Sequence, residues 1–181
     1  MALCRSHDFY CLQETHSQEG KVAAFTIPVG YVAFWIHGSP HRGGIAIVVS
    51  NDFLRLFNQV VPERDLTVVV PGRIAILSLR GPLGNLDITC CYMDAHSSKA
   101  RCIAMNKLAN HIQPQSQTLS ILTGDWNFVT DLHGRWSSVK EHWAQNGNDK
   151  DAKCFDLSLG SPYGFVEWDQ ERFTCSGVRG A

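Results

Sequence analysis

Two stretches of this 181-residue chain end an apolar run with a carboxylate and an amide. Phe9-Tyr10-Cys11-Leu12 leads into Gln13-Glu14-Thr15-His16, and Leu119-Ser120-Ile121-Leu122 leads into Thr123-Gly124-Asp125-Trp126-Asn127. A carboxylate is a hard oxygen ligand of the kind Mg²⁺ prefers, with water and substrate phosphates filling the remaining positions. A second carboxylate nearby can orient or deprotonate a water, and an amide can hold a phosphoryl oxygen. Taken singly, Glu14 and Asp125 are better read as turn residues at strand ends. Chemistry follows only if the fold brings the two together.

The elements that would do so are short. Ile45 to Val49 and Leu66 to Val70 are continuous and β-branched, as expected of strands covered on both faces. Arg73 to Leu79, Leu86 to Tyr92 and Leu119 to Leu122 read as further strands, separated by Gly- and Pro-rich turns. One helix is clear: Ser97 or Ser98 caps it, and Ala100, Ile103, Ala104, Leu108, Ala109 and Ile112 recur on one face, with Pro114 just beyond. Weaker helical patterns run through Val139 to Gln145 and Asp151 to Leu159. Strands outnumber helices, and a strand–helix–strand unit spans 86–122. The expected class is α/β with two packed sheets. In open α/β sheets ligands bind beyond the carboxyl ends of strands, where Glu14 and Asp125 both fall, and Gly124 permits the sharp turn before Asp125.

Composition narrows the partners. The length fits one domain at about 100–200 residues each. A 44% hydrophobic and 18% charged content argues against disorder. Sixteen Lys and Arg against 17 Asp and Glu leave a net charge of −1, so nucleic-acid binding would need a local site rather than a basic surface. No apolar run approaches the ~18 residues of a membrane span. Met1 to Tyr10 lacks a basic stretch followed by an apolar one, so an intracellular protein of the nucleus or cytoplasm, without a membrane partner, is expected. The cysteines at 4, 11, 90, 91, 102, 154 and 175 are odd in number, form no C-x-x-C and lack zinc-finger spacing, which favours free thiols. Phosphate-binding glycine loops of the G-x-x-x-x-G-K-[ST] or G-x-G-x-x-G kind are absent.

Four segments in order carry a resemblance. FYCLQETH (9–16), RGGIAIVVS (42–50), ITCCYMDAH (88–96) and ILTGDWNFV (121–129) resemble successive motifs of the endonuclease/exonuclease/phosphatase family. The chain is most similar to the endonucleases of LINE-type (non-LTR) retrotransposons and to the apurinic-site endonucleases. The resemblance implies a four-layer α/β sandwich, two mainly antiparallel or mixed sheets flanked by helices. It also implies Mg²⁺ (or Mn²⁺) as cofactor, nucleic acid with DNA favoured as substrate, and a reverse transcriptase domain as partner in the intact gene product.

By position, Glu14 would be the metal ligand and Asp125 would orient or activate the attacking water. Asn127 would hold the scissile phosphate, with Tyr92 beside it. Arg42, with Gly43-Gly44, and Arg135, with Trp136, are candidate contacts to substrate, though a turn with an ordinary surface Arg is an equal reading. His96 is read as a solvated or capping residue at the helix entrance, and His37, His41, His111 and His142 receive no role.

The family's upstream Asn-bearing strand has no counterpart among the thirteen residues before Glu14. Phe173-Thr174-Cys175-Ser176 resembles the segment that precedes its closing Asp and Ser-Asp-His elements, which do not follow. The expectation is therefore one partial, incomplete domain over 1–181. Its alternatives are a catalytically inactive fragment, or a phosphatase or phosphodiesterase acting on RNA, inositol phosphate or lipid.

Overall fold

The apolar and β-branched runs become strands in two sheets. The structure, a computed structural model, describes residues 7–21, 27–39, 41–128, 136–137, 142–143 and 149–167. These fall into two units, 1–127 and 128–181, taken separately below.

In the first unit one sheet has three antiparallel strands: β1 (Phe9–Leu12), β2 (Tyr31–Ile36) and β3 (Ile45–Ser50), in the order β1-β3-β2. β3 is central, and Ile45 to Val49 are buried throughout, as its continuous apolar run requires. β2 was not among the expected strands. Both its faces are apolar in sequence, which hides the alternation, yet Phe34 and Ile36 are buried while Val32 is 40% exposed. After β3, Ser50 caps a short helix, α1 (Asn51–Leu54), through its Oγ and the N–H of Phe53. A second short helix, α2 (Pro62–Asp65), begins with Pro, which needs no N–H donor there.

The second sheet has four strands: β4 (Leu66–Val70), β5 (Ile74–Gly81), β6 (Gly84–Tyr92) and β7 (Leu119–Asp125), in chain order across the sheet. β4, β5 and β6 are antiparallel, and β7 lies parallel to β6. β4 corrects an expectation. It lies at the edge of the sheet among the described strands and is only half-buried, with Val68 46% exposed. The crossover from β6 to β7 contains α3 (Ser98–Ala109), capped by Ser97, whose Oγ accepts from the N–H of Ala100 at 3.1 Å. Of the expected stripe Leu108 and, past the helix end, Ile112 are buried, while Ile103 is 48% exposed, and Arg101 and Met105 complete the buried face. Arg101 turns inward, its Nη1 donating to the carbonyl of Asp94 at 2.6 Å.

The two sheets pack face to face. Phe34, Ile36, Ile45, Ile47 and Val49 meet Ala75, Leu77, Leu79, Leu86, Ile88 and Cys90. Each fully buried Ile or Leu here contributes roughly 1.5–3 kcal/mol of transfer free energy. This is the expected α/β class with two antiparallel or mixed sheets and flanking helices.

In the second unit Trp136–Ser137 (β8) and His142–Trp143 (β9) form a two-residue antiparallel ladder. Residues 142–143 are thus extended within the span 139–145 expected as helix; the rest of that span lies outside the described residues. A helix does occupy the other expected region: α4 (Asp149–Phe155), a π-helical turn over Asp156–Gly160, and α5 (Ser161–Tyr163) closed by Gly164 at φ 69°. Among the described residues, no helix is long and apolar enough to cross a membrane. Cys11, Cys90 and Cys91 are free thiols, and burial pushes Cys91 up. Cys4, Cys175 and the 173–176 segment lie outside the described residues.

Candidate active site

Strand alternation brings Tyr92 to the site. Leu86, Ile88 and Cys90 face the core between the sheets, so Tyr92, two residues further, emerges from the same face at the rim. Opposite stands the end of β1, where the Cys90 thiol donates to the carbonyl of Leu12 at 3.7 Å and Gln13 Nε2 donates to Cys90 Sγ at 3.5 Å. One turn of the chain later the Tyr92 hydroxyl donates to Glu14 Oε1. Two residues far apart in sequence, from different sheets, thus share a hydrogen bond. That bond, then desolvation and the charge of Glu14, push the Tyr92 phenol up to about 12, against the opposing pull of Arg73.

Asp125 arrives from the neighbouring strand. In the parallel ladder of β6 and β7 it lies opposite Tyr92, and its carbonyl accepts from the N–H of Met93 at 2.8 Å. Its carboxylate is exposed and accepts the N–H of Asn127 through Oδ1 at 3.0 Å. That turn sets Asn127 at φ 56°, and its Nδ2 donates to the carbonyl of Met93 at 3.0 Å. One of the two amide N–H groups is so anchored, which orients the other. Gly124 is required: at φ 136°, a Cβ would stand 1.9 Å from the carbonyl oxygen of Cys91.

Glu14 also depends on unusual backbone. It has φ 51° and His16 has φ 49°, a conformation that costs non-glycine residues about 1–2 kcal/mol each. The Gly-Gly pair before β3 holds this loop: Thr15 N–H donates to the carbonyl of Gly44 at 3.0 Å, and His16 N–H to that of Gly43 at 3.1 Å. Arg42 sits next to this pair with an exposed side chain, so the fold brings it beside the Glu14 loop. His96 is exposed at the entrance to α3, where its N–H and that of Ser97 donate to Asp94 Oδ1 at 2.9 and 2.8 Å and hold the Asp94 carboxyl below its usual range. Arg135 lies outside the described residues, as does the side chain of Trp136.

One neighbour escaped the sequence reading. The Arg73 guanidinium lies over the Tyr92 ring, 4.9 Å from its centroid, with Nη1 donating to the carbonyl of Tyr92 at 3.4 Å and Nη2 3.8 Å from Asp94 Oδ2. The available signal was a single charged residue opening the otherwise apolar strand RIAILSL, directly after the Pro71-Gly72 turn.

The arrangement clusters an exposed carboxylate bonded to a phenol, a second exposed carboxylate, an oriented amide and a guanidinium. No protein-family model matches the chain, and no curated protein does. Among solved structures it is similar to the crystal structure of an AP endonuclease from Leishmania major, at 16% sequence identity and a TM-score of 0.57. The likeness is one of fold. It covers 87% of this chain, which spans 60% of the length of that one.

Proposed function

We propose that this chain is a Mg²⁺-dependent phosphodiester hydrolase that nicks DNA, the endonuclease domain of a retroelement. The observation that carries the reading is the convergence of three strand ends, with Tyr92 bonded to Glu14 and Asp125 opposite Tyr92 across the ladder. Supporting it are the four ordered motifs and the fold shared with a protein described as an AP endonuclease.

The donor set suits Mg²⁺. Among the described residues no group of three or more His, Cys, Asp and Glu gathers as a protein cage, whereas Mg²⁺ is ordinarily held by one or two carboxylates with water and substrate phosphates. Glu14 would hold the ion, with Mn²⁺ as its substitute, and the bound ion would neutralise charge on a phosphoryl oxygen. Asp125 orients the attacking water and accepts its proton. Asn127 donates its second amide N–H to a non-bridging phosphate oxygen, and the Tyr92 hydroxyl, turning its one proton away from Glu14 Oε1, donates to the developing charge. Arg42, beside the Glu14 loop, contacts a flanking backbone phosphate, and a reverse transcriptase domain is the partner in the intact gene product.

The test is supercoiled plasmid incubated with the chain, with RNA, inositol phosphate and phospholipid run alongside. Open circles that form with Mg²⁺, vanish with a chelator and are lost in Glu14→Ala are the expected result. Hydrolysis confined to RNA, inositol phosphate or lipid would overturn the DNA assignment. A folded chain that cleaves none of them would overturn the hydrolase reading.

A further inference from the structure

Behind Glu14 lies a small buried network of polar side chains. Thr15 and Ser17 are 6% and 2% exposed, and their hydroxyls share a hydrogen bond at 3.0 Å. The N–H of Ser17 also donates to Thr15 Oγ1 at 3.4 Å, and Ser17 Oγ shares a hydrogen bond with His37 Nδ1 at 3.1 Å. His37 comes from the end of β2, so the chain of contacts joins the Glu14 loop to the far strand of the first sheet. The glycines make room for it. A Cβ on Gly44 would stand 2.5 Å from Thr15 Oγ1, and one on Gly38 would stand 2.4 Å from the backbone nitrogen of Gly44.

The network sits between two residues of left-handed backbone, Glu14 at φ 51° and His16 at φ 49°. Such a conformation persists only where its surroundings over-determine it. Thr15, between the two, is held at its N–H by Gly44 and at its hydroxyl by Ser17. Buried hydroxyls left without partners are costly, and in this arrangement those of Thr15 and Ser17 are both partnered. The consequence appears one residue away, in an exposed carboxylate carried on that backbone and met by the Tyr92 hydroxyl.

We propose that Thr15, Ser17 and His37 are positioning residues that fix the Glu14 carboxylate and so set the affinity of the site for a divalent cation. This rests on the reading of Glu14 as the Mg²⁺ ligand. Groups that orient a metal ligand without touching the metal typically change its affinity 10–100-fold when removed.

The test is the Mg²⁺ concentration that half-saturates the rise in melting temperature, measured on the full chain. Thr15→Val removes the hydroxyl at nearly constant volume, Ser17→Ala removes the centre of the network, and Thr15→Ser restores the hydroxyl. The first two are expected to raise the Mg²⁺ midpoint about 10-fold, and Thr15→Ser to return it to within about 2-fold of wild type. His37→Gln, changed at the half-buried end, is expected to raise it as well and serves where a core variant does not fold. Variants that melt lower but keep the wild-type midpoint would overturn the inference, since a purely structural role predicts that outcome. A wild-type chain with no Mg²⁺ response would overturn the reading of Glu14 itself, and this inference with it.

Discussion

The two ends of the four-stranded sheet treat their charges in opposite ways. Where β5 turns into β6, carboxylates meet guanidinium groups: Arg80 Nη1 lies 2.7 Å from Asp87 Oδ1, and Arg64 Nε donates to Asp65 Oδ1 at 2.6 Å. At the opposite end, Glu14 accepts from a phenol, Asp125 from a backbone N–H, and Asp94 from two more. Arg73 approaches Asp94 only to 3.8 Å. All three non-glycine residues with positive φ among the described residues, Glu14, His16 and Asn127, stand at this second end. Both ends rest on the same apolar core. One end pairs its carboxylates with guanidinium groups, whereas the other holds them mainly through neutral donors, and one of them, Glu14, stands on left-handed backbone.

The sharpest way to break this contrast is to remove a carboxylate from the strained end. Asp125→Asn is expected to lower Mg²⁺-dependent plasmid nicking by about 10²–10⁴-fold, the usual contribution of a general base, with little change in melting temperature. Activity within a few-fold of wild type would remove Asp125 from the chemistry. Next in size is the backbone beneath it. Gly124→Ala drives a Cβ into the Cys91 carbonyl and should cost about 3 kcal/mol in urea unfolding. Gly30→Ala, at φ 90° with nothing within 4 Å, should cost only the conformational strain, about 1 kcal/mol. Equal losses would show that close approach is not what selects Gly124.

The smallest expected effect lies at the paired end. The Asp65 carboxyl is held below its usual value, first by Arg64 and also by the N–H of Val61, against burial. A depressed folded value stabilises the fold above the unfolded value near 3.8 and loses that contribution as pH falls through the folded value. Asp65→Asn should therefore cost about 1 kcal/mol at neutral pH, with the gap to wild type closing in acid and nicking unchanged. A loss that persisted at low pH would assign the effect to packing instead of charge.

Much of this was legible in the residues because it is local. β1, β3, β5 and β6 announce themselves by apolar runs between glycine and proline turns, and Ser97 by its place before a helical pattern. What escaped depended on neighbours. β2 lacks visible alternation because both its faces are apolar in sequence, and only its edge place in the sheet leaves Val32 exposed. The buried face of α3 was legible at Leu108 and Ile112 but not at Arg101, which counts as polar in any periodicity while its guanidinium finds the carbonyl of Asp94. Leu66 to Val70 carries the composition of a central strand and lies at the margin, since composition does not encode sheet order.

Glu14, Asp125, Asn127 and Tyr92 were each marked as candidates by residue type, strand-end position and motif, and their meeting at one site was expected only through the family resemblance. The presence of Arg73, Thr15, Ser17 and His37 around them was not expected. Side-chain alternation along a strand is a property of consecutive residues, so the chain alone determines which side chains share a face. Which faces meet is decided by pairing register and by the packing of one sheet on the other, contacts that close loops of many tens of residues. The hydrogen bond between Tyr92 and Glu14 exists because both of those long-range choices are satisfied at once.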